Sequence, residues 1–204
     1  MNIKRYIATI ILAIVLLLNF SCTDWLDVKP VDRMSEDQLY STEAGFRQAL
    51  NGIYVELNHA DLYGDELLVN TVEILAQRYK FSSMGTLTTQ YHLAEFDYTT
   101  DYAKKCGSRI WEKAYALIAN VNKLLKNADS HKDLFTGDSY DLITGEAYAL
   151  RAFLHFDLLR LFGPVYKTHK EDKSIFYNTQ FSLSGSDLLP ASKVMEYVIA
   201  DLKE

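Results

Sequence analysis

Proline and glycine are scarce in this 204-residue sequence, which has three prolines, nine glycines and no low-complexity tract. Together with 49% hydrophobic and 24% charged residues, this composition excludes a collagen-like fibre and a disordered chain. Basic clusters are also missing, because no block of Lys or Arg follows Arg5 and the net charge is −6. Nucleic-acid backbones are bound through clustered positive charge, so DNA and RNA are not expected partners. The length predicts one globular domain or the front part of a larger protein.

Recognisable catalytic and metal-binding motifs are missing as well. The five histidines are scattered, without a His-Glu-x-x-His pair or a Cys/His cluster, so no metal site is expected. There is no Gly-x-Ser-x-Gly elbow and no phosphate-cradling glycine loop. Carboxylates are plentiful, as in Asp61, Asp65 and Glu66, but only a structure shows whether two stand at a glycosidase separation. We therefore expect a protein that is not an enzyme and needs no cofactor.

The N-terminus has the pattern of an export signal. A positively charged start precedes the unbroken apolar run 7–18, and Ser21 stands directly before Cys22. The run is well short of the roughly 20 residues that a membrane-spanning helix needs. A cysteine after an apolar run and a small residue resembles a bacterial lipobox. We therefore expect residues 1–21 to be a lipoprotein signal peptide and Cys22 to be lipidated, the alternative being a soluble secreted protein. With Cys22 acylated, Cys106 has no cysteine left for an internal disulfide.

Beyond Cys22 the hydrophobic pattern is helical almost throughout. Residues 22–41 have no sustained period and are interpreted as an extended tether. The body, residues 42–204, is predicted to contain five helices: one from the N-cap Thr42 to Asn58, then one across 68–79, one over 103–127, one over 140–162, and one from Pro190 to the last residues. The fourth helix is apolar on nearly every side, which predicts a central position. No capping residue closes the fifth helix, so we expect a truncated N-terminal part of a larger protein.

Three segments resemble the SusD/RagB family of nutrient-binding lipoproteins. Residues 22–27 (CTDWLD), followed by Pro30, are similar to the mature start of that family. Residues 111–125 place Trp, Tyr, Ile, Asn and Leu in the pattern W-x-x-x-Y-x-x-I-x-x-x-N-x-x-L, which resembles one of its helices. Residues 145–165 (GEAYALRAFLHFDLLRLFGPV) resemble its signature helix and the turn that follows. The order of the three segments along the chain also agrees with that family.

The resemblance implies an all-α fold of tetratricopeptide-like helical hairpins with long irregular loops. It implies a lipid-anchored protein at the outer membrane, exposed on the cell surface, that binds oligosaccharides and delivers them to a SusC-like TonB-dependent transporter. Two alternatives stay open, a helical scaffold that mediates protein contacts only and a protein that captures peptides instead of glycans. Glu146 and Arg151 in the signature helix are interpreted as structural charges, because buried charges need partners.

The stretch 81–101 loses the helical period and is predicted to be an ordered loop rich in aromatic residues. A sugar presents apolar faces and hydroxyl edges, so its binding surface combines exposed rings with hydrogen-bonding side chains. We predict that Tyr91 and Tyr98 contact the ligand and that Asp97 binds its hydroxyl groups. The family places part of its glycan-contacting surface in this stretch. The alternative is that these rings only pack the loop onto the helices.

Overall fold

The computed structural model describes residues 35–81, 88–180 and 187–204. The predicted signal peptide 1–21, Cys22 and most of the predicted tether lie outside the described residues. Within the described residues all regular structure is helical, apart from one isolated antiparallel bridge between Lys173 and Pro190. The expected all-α fold is therefore confirmed. None of the described helices has both the length and the apolar character needed to cross a membrane.

Eight α-helices occur in the described part of the unit Glu36–Glu204. Four of them are longer: α2 (Glu43–Leu57), α5 (Asp101–Ser130), α6 (Ser139–Phe162) and α8 (Ala191–Asp201). Four are short: α1 (Glu36–Leu39), α3 (Thr71–Leu75), α4 (Thr88–Ala94) and α7 (Tyr166–His169). A 3₁₀ turn, Lys132–Leu134, lies between α5 and α6.

The two longest of these helices form an antiparallel hairpin at the centre of the unit. Trp111 near the start of α5 contacts Phe162 at the end of α6, whereas Asn122 further along α5 bonds Arg151. α6 also packs against α2 and α8, so its predicted central position is confirmed. Most of the core is made of buried side chains from the four longer helices, among them Phe46, Leu117, Ile118, Val121, Leu154, Leu158 and Val194.

One side of α6 is nevertheless exposed. Leu142, Phe153 and Phe156 are 59%, 44% and 37% exposed although all three are apolar. Phe153 stacks on Tyr63 with ring centroids 5.2 Å apart, which covers part of its ring. α6 is thus buried where it faces α2, α5 and α8 and not around its whole circumference.

Threonine side chains begin two of the long helices. The Thr42 hydroxyl accepts a hydrogen bond from the Gly45 amide at 3.2 Å, so the predicted start of the first helix is confirmed. The Thr100 hydroxyl accepts one from the Ala103 amide at 3.3 Å in the same way. Such N-caps satisfy amides that have no partner inside the helix. Because Thr100 caps it, α5 begins before the predicted range 103–127, and it also ends later.

The second predicted helix, across 68–79, is wrong in extent. Only α3 is helical in this region, and the residues before it form a series of turns. The Asp65 carbonyl accepts from the amides of Leu68, Val69 and Asn70, which holds the backbone in a compact turn. Beyond α3, Gln77 has a φ of 58°, a left-handed conformation that stops the helix. Tertiary contacts of this segment override its helical periodicity.

The interpretation of 81–101 as a loop is wrong in part, because α4 lies within it. Leu93 and Ala94 at the end of α4 are buried in a small cluster with Ile74 and Ala103. The Gln77 side-chain amide donates to the Ala94 carbonyl at 2.6 Å and ties the end of α4 to the chain after α3. Burial of two residues therefore stabilises a short helix that its Thr- and Ser-rich surroundings do not predict.

The end of the predicted tether belongs to the folded unit. α1 occupies its last part, and Tyr40 is only 6% exposed. The Tyr40 ring packs against Phe46 of α2 with centroids 4.9 Å apart. The prediction of an extended tether over 22–41 is therefore wrong for residues 36–41, which are part of the folded unit. Burial of the aromatic Tyr40 against the core stabilises this compact arrangement.

Arg151 is the buried charge that holds α5, α6 and α8 together. Its Nε and Nη2 donate to the two carboxylate oxygens of Asp201 at 2.7 Å each, and its Nη1 donates to Asn122 Oδ1 at 2.8 Å. The Tyr177 hydroxyl donates to the same carboxylate at 2.5 Å. Exposed Glu146 accepts from the Tyr54 hydroxyl at 3.0 Å. The interpretation of Glu146 and Arg151 as structural charges agrees with these contacts. Asp201 is the last residue of α8, so the predicted fifth helix ends before the last residues.

His155 fixes the segment that precedes α8. Its Nδ1 donates to the Arg151 carbonyl at 2.9 Å, and its Nε2 accepts from the Asn178 amide at 3.0 Å. The imidazole is fully buried and stacks on Tyr177 with centroids 3.8 Å apart. Burial lowers the pKa of His155 to about 4, so the neutral imidazole is the stable form. We call residues 174–180 the strap, because side chains of α5 and α6 bind its backbone.

Candidate functional site

A groove of about 550 Å³ lies between the start of α5, the end of α6, the short helices α3 and α4, and Tyr98. Most of its lining is apolar or aromatic. Pockets that bind small organic ligands have volumes of roughly 300 to 1,000 Å³ and similar linings. The lining includes Tyr98, Lys104, Gly107, Ser108, Trp111 and Phe162.

Trp111 is held rigidly by other aromatic rings. Phe162 and Phe176 meet it edge-on, with centroids 5.1 and 5.5 Å away and interplanar angles of 89° and 85°. Tyr115, one turn further along α5, lies 4.8 Å from Trp111 and stacks on Phe176 at 4.1 Å. The Tyr115 hydroxyl donates to the Phe176 carbonyl at 2.8 Å. Trp111 therefore offers a fixed indole surface whose orientation needs no adjustment when a ligand binds.

Polar side chains accompany this aromatic lining along α5. Lys104, Ser108 and Glu112 are exposed and follow one another at intervals of one helical turn. Among the residues that the structure describes, none of the three side chains makes a hydrogen bond or an ion pair. An ammonium, a hydroxyl and a carboxylate are thus available beside the aromatic rings.

The structure places the three predicted ligand residues differently. Tyr98 lines the groove and is 58% exposed. Asp97 does not line it, and its Oδ1 accepts from the amide and the hydroxyl of Thr99 at 3.0 and 2.6 Å. These hydrogen bonds lower the pKa of Asp97. Tyr91 lines a separate depression of about 320 Å³ beside Tyr79. The structure therefore brings only Tyr98 to the groove, and Asp97 stabilises the turn that carries it.

Sequence reasoning missed Trp111 and Phe162 as groove residues and treated both as parts of structural helices. A usable signal was present in α5, where Trp111 lies next to the polar series Lys104, Ser108 and Glu112 on one side of the helix. The position of Phe162 depends on the hairpin bringing the end of α6 to the start of α5. That pairing is a tertiary contact and has no local signal.

An ion pair between buried Glu66 and partly exposed Arg109 supports one wall of the groove. Glu66 is 1% exposed, and its carboxylate accepts from Arg109 Nη2 and from the Thr71 hydroxyl. Asp61 also faces Arg109, with 3.7 Å between Oδ1 and Nε. Thr71 lines the groove, so this set of contacts fixes α3 against α5. Glu66 is thus engaged in structure, and the described residues contain no cluster of three side chains suited to holding a metal ion.

Comparison with known proteins extends these observations. A family model described as "Starch-binding associating with outer membrane" matches residues 24–195. SusD-like protein P2 of Formosa agariphila is 27% identical over 202 residues, covering 98% of this chain and 37% of that protein. SusD-like protein P25 of the same organism is 26% identical, covering 71% of this chain and 28% of its own length. The chain thus spans 37% or less of the length of these two curated relatives.

Solved structures show the same fold. A SusD superfamily protein from Bacteroides fragilis superposes with a TM-score of 0.68 at 18% identity, covering 81% of this chain and 39% of that one. A SusD superfamily protein from Bacteroides thetaiotaomicron superposes with a TM-score of 0.60 at 21% identity, covering 79% of this chain and 36% of that one. The similarity in these two cases concerns the fold.

Proposed function

This chain belongs to the SusD-like family of starch-binding proteins associated with the outer membrane, and from this premise we propose that it captures oligosaccharides at the bacterial surface. The observation that carries the proposal is the groove, which combines a rigid Trp111 and an exposed Tyr98 with unpaired polar groups. Sugar rings have apolar faces that stack on aromatic rings and hydroxyl edges that need donors and acceptors. The groove offers both kinds of contact.

Each residue has a specific proposed role. Trp111 and Tyr98 stack on sugar rings, and Ser108 binds hydroxyl groups together with the neighbouring charged side chains of α5. Asp97 keeps Tyr98 in place through the turn at Thr99. Tyr91 contacts the ligand only when an oligosaccharide extends beyond the groove into the separate depression. In this role the protein binds oligosaccharides and does not hydrolyse them.

Membrane attachment and transport complete the proposal. Cys22 carries the lipid anchor, which keeps the protein on the outer membrane at the cell surface. A SusC-like TonB-dependent transporter receives the captured oligosaccharide. The family's association with the outer membrane supports attachment, and the lipobox-like sequence before Cys22 supports the lipid. Several acyl chains on one residue give stable anchoring, whereas a single chain gives weak binding.

Calorimetric titration with maltoheptaose and with peptides from digested casein tests ligand binding. We expect maltoheptaose to bind and the peptides not to bind. Trp111→Ala and Tyr98→Ala should each weaken maltoheptaose binding by about tenfold or more, the usual effect of removing a central aromatic contact. Tyr54→Ala, which removes an exposed tyrosine on α2, is the matched control. Binding of peptides alone would favour peptide capture, and binding of neither would favour the helical scaffold.

Metabolic labelling with a palmitate analogue tests the anchor. The wild-type protein should carry the label and sediment with the outer membrane. Cys22→Ala should lose the label and leave the membrane fraction. The other cysteine, Cys106, does not follow an apolar run and a small residue and so cannot replace Cys22 as the lipidation site. Retention of the label in Cys22→Ala would overturn this part of the proposal while leaving the glycan groove unaffected.

A further inference from the structure

A second depression of about 430 Å³ lies on the same hairpin as the groove. We call it the polar cleft. Its lining comes from α5, α6 and the end of the strap and includes Lys126, Asp129, Tyr148, Arg151, Thr179 and Gln180. Unlike the groove, it is lined mainly by polar side chains, with the Tyr148 ring and Leu125 as its apolar part.

The polar cleft and the groove lie on one face of α5. The groove is lined by Lys104, Ser108 and Trp111, and the polar cleft by the positions 18 residues later. Eighteen residues make about five complete turns of an α-helix, so the two sets point in the same direction about 27 Å apart. The strap lies between them, with Phe176 next to Trp111 and Gln180 beside the polar cleft. A long, flexible ligand can therefore reach both depressions from one side.

The floor of the polar cleft is rigid and electrically neutral. The charge of Arg151 is balanced by the bidentate contact with Asp201. Asn122 Nδ2 donates to the carbonyl oxygens of Asn178 and Gln180 at 3.0 and 3.4 Å, which fixes the strap at the edge of the polar cleft. A site built for an anion would leave the guanidinium unpaired. The neutral floor therefore favours an uncharged ligand.

The rim of the polar cleft presents side chains that have no partner among the described residues. These are the ammonium group of Lys126, the hydroxyls of Tyr148 and Thr179, and the amide of Gln180. Asp129 adds a carboxylate, of which Oδ1 is engaged by the Tyr140 hydroxyl. The Arg151 guanidinium lies 5.0 Å from the Tyr148 ring centre and holds that ring in place. Donors and acceptors side by side around a fixed aromatic ring suit vicinal hydroxyl groups.

We propose that the polar cleft is a second binding site for neutral sugar residues of the same chain that occupies the groove. This inference rests on the proposed glycan-binding function and adds a second contact region to it. Two linked contacts raise the affinity for a ligand long enough to span them, without changing the affinity for a short one. The protein thereby prefers polysaccharides and long oligosaccharides over their small fragments.

Soluble starch and maltotriose are the probes that test the second site. The double variant Lys126→Ala/Gln180→Ala removes two exposed side chains of the rim and should keep the fold. We expect it to bind soluble starch about tenfold or more weakly, the loss that follows when one of two linked contacts disappears. Its affinity for maltotriose at the groove should stay within about twofold of the wild type. Lys105→Ala, at an exposed lysine of α5 outside both depressions, is the matched control.

Amide chemical shifts provide a second measurement that does not depend on the groove. In Trp111→Ala, maltotriose at millimolar concentration should still shift the amides of Lys126 and Gln180. Unchanged starch affinity in the double variant, or unshifted amides, would overturn the second site while the groove and the proposed function stand. If the wild type binds neither probe, the proposed function with starch-type glycans and the second site are both wrong.

Discussion

Arg151 shows how far a single residue can be understood from sequence. A charged side chain on an otherwise apolar helix needs a partner, and this requirement was enough to predict a structural role. The identity of the partner was not predictable, because Asp201 lies 50 residues later and meets Arg151 only after α8 has packed on α6. The same limit applies to Tyr98, whose residue type suggested a ligand contact, whereas Trp111 of α5, which lines the same groove, was not predicted to do so.

Replacing Arg151 tests the buried ion pair. Arg151→Met should lower the free energy of unfolding by about 3 to 5 kcal/mol, because Asp201 then stays buried without its counter-charge. The double variant Arg151→Met/Asp201→Leu should recover much of this loss, since two apolar side chains need no partner. Urea denaturation measures both values. Equal destabilisation in the single and double variants would contradict an electrostatic origin.

His155 makes stability depend on pH in a defined range. Its pKa is about 4 in the folded protein and 6.5 without burial, so the unfolded chain binds a proton more readily. Stability is therefore complete above about pH 6.5 and falls as the pH drops towards 4, by about 3 kcal/mol in total. Urea denaturation at several pH values should show this slope, and His155→Gln should flatten it. Carboxylates such as Glu43, with a pKa lowered to about 2, lose their contribution only at lower pH.

At the scale of elements, long helices were predictable and short ones were not. α2 has a sustained helical periodicity that begins after the capping Thr42, and α6 is a long, largely apolar segment that ends at Gly163. α3 and α4 are shorter than two turns and exist because Ile74, Leu93 and Ala94 are buried together. Isolated helices of this length are unstable in water, so their formation depends on contacts that sequence periodicity does not contain.

Gly107 allows the groove to be closed without disturbing α5. A Cβ at this position would lie 3.7 Å from Phe162 Cε1, an ordinary contact, and a longer side chain would extend into the groove. Gly107→Leu should leave the free energy of unfolding unchanged or raise it by about 0.5 to 1 kcal/mol, because glycine in a helix interior is destabilising. It should weaken maltoheptaose binding by about tenfold or more.

Gly52 provides the control for this experiment. It lies in the interior of α2, and nothing lies within 4 Å of a Cβ added there. Gly52→Leu should have a similar effect on stability and none on maltoheptaose binding. If Gly107→Leu binds maltoheptaose like the wild type, the groove is not the binding site. Calorimetry and thermal unfolding on the two variants separate the two effects.

At the scale of the whole molecule, the sequence indicated a central α6 but not which of its sides is covered. Neighbouring residues of α6 make this testable, because Leu154 is 1% exposed and Phe153 is 44% exposed. Leu154→Ala should lower the free energy of unfolding by about 2 to 5 kcal/mol, the usual effect of a core cavity. Phe153→Ala removes more atoms but should cost less than half as much. Similar losses at both positions would show that α6 is buried on every side.

The pairing of Arg151 with Asp201 also bears on how the chain folds while it is being made. Synthesis proceeds from the N-terminus, so the hairpin of α5 and α6 is available before α8 has left the ribosome. Until then Arg151 has Asn122 of α5 as a partner but lacks its counter-charge, and its guanidinium group keeps the side of the hairpin that α8 later covers hydrated. We therefore expect the nascent hairpin to remain loosely packed and accessible to chaperones, and to become compact only when α8 supplies the carboxylate.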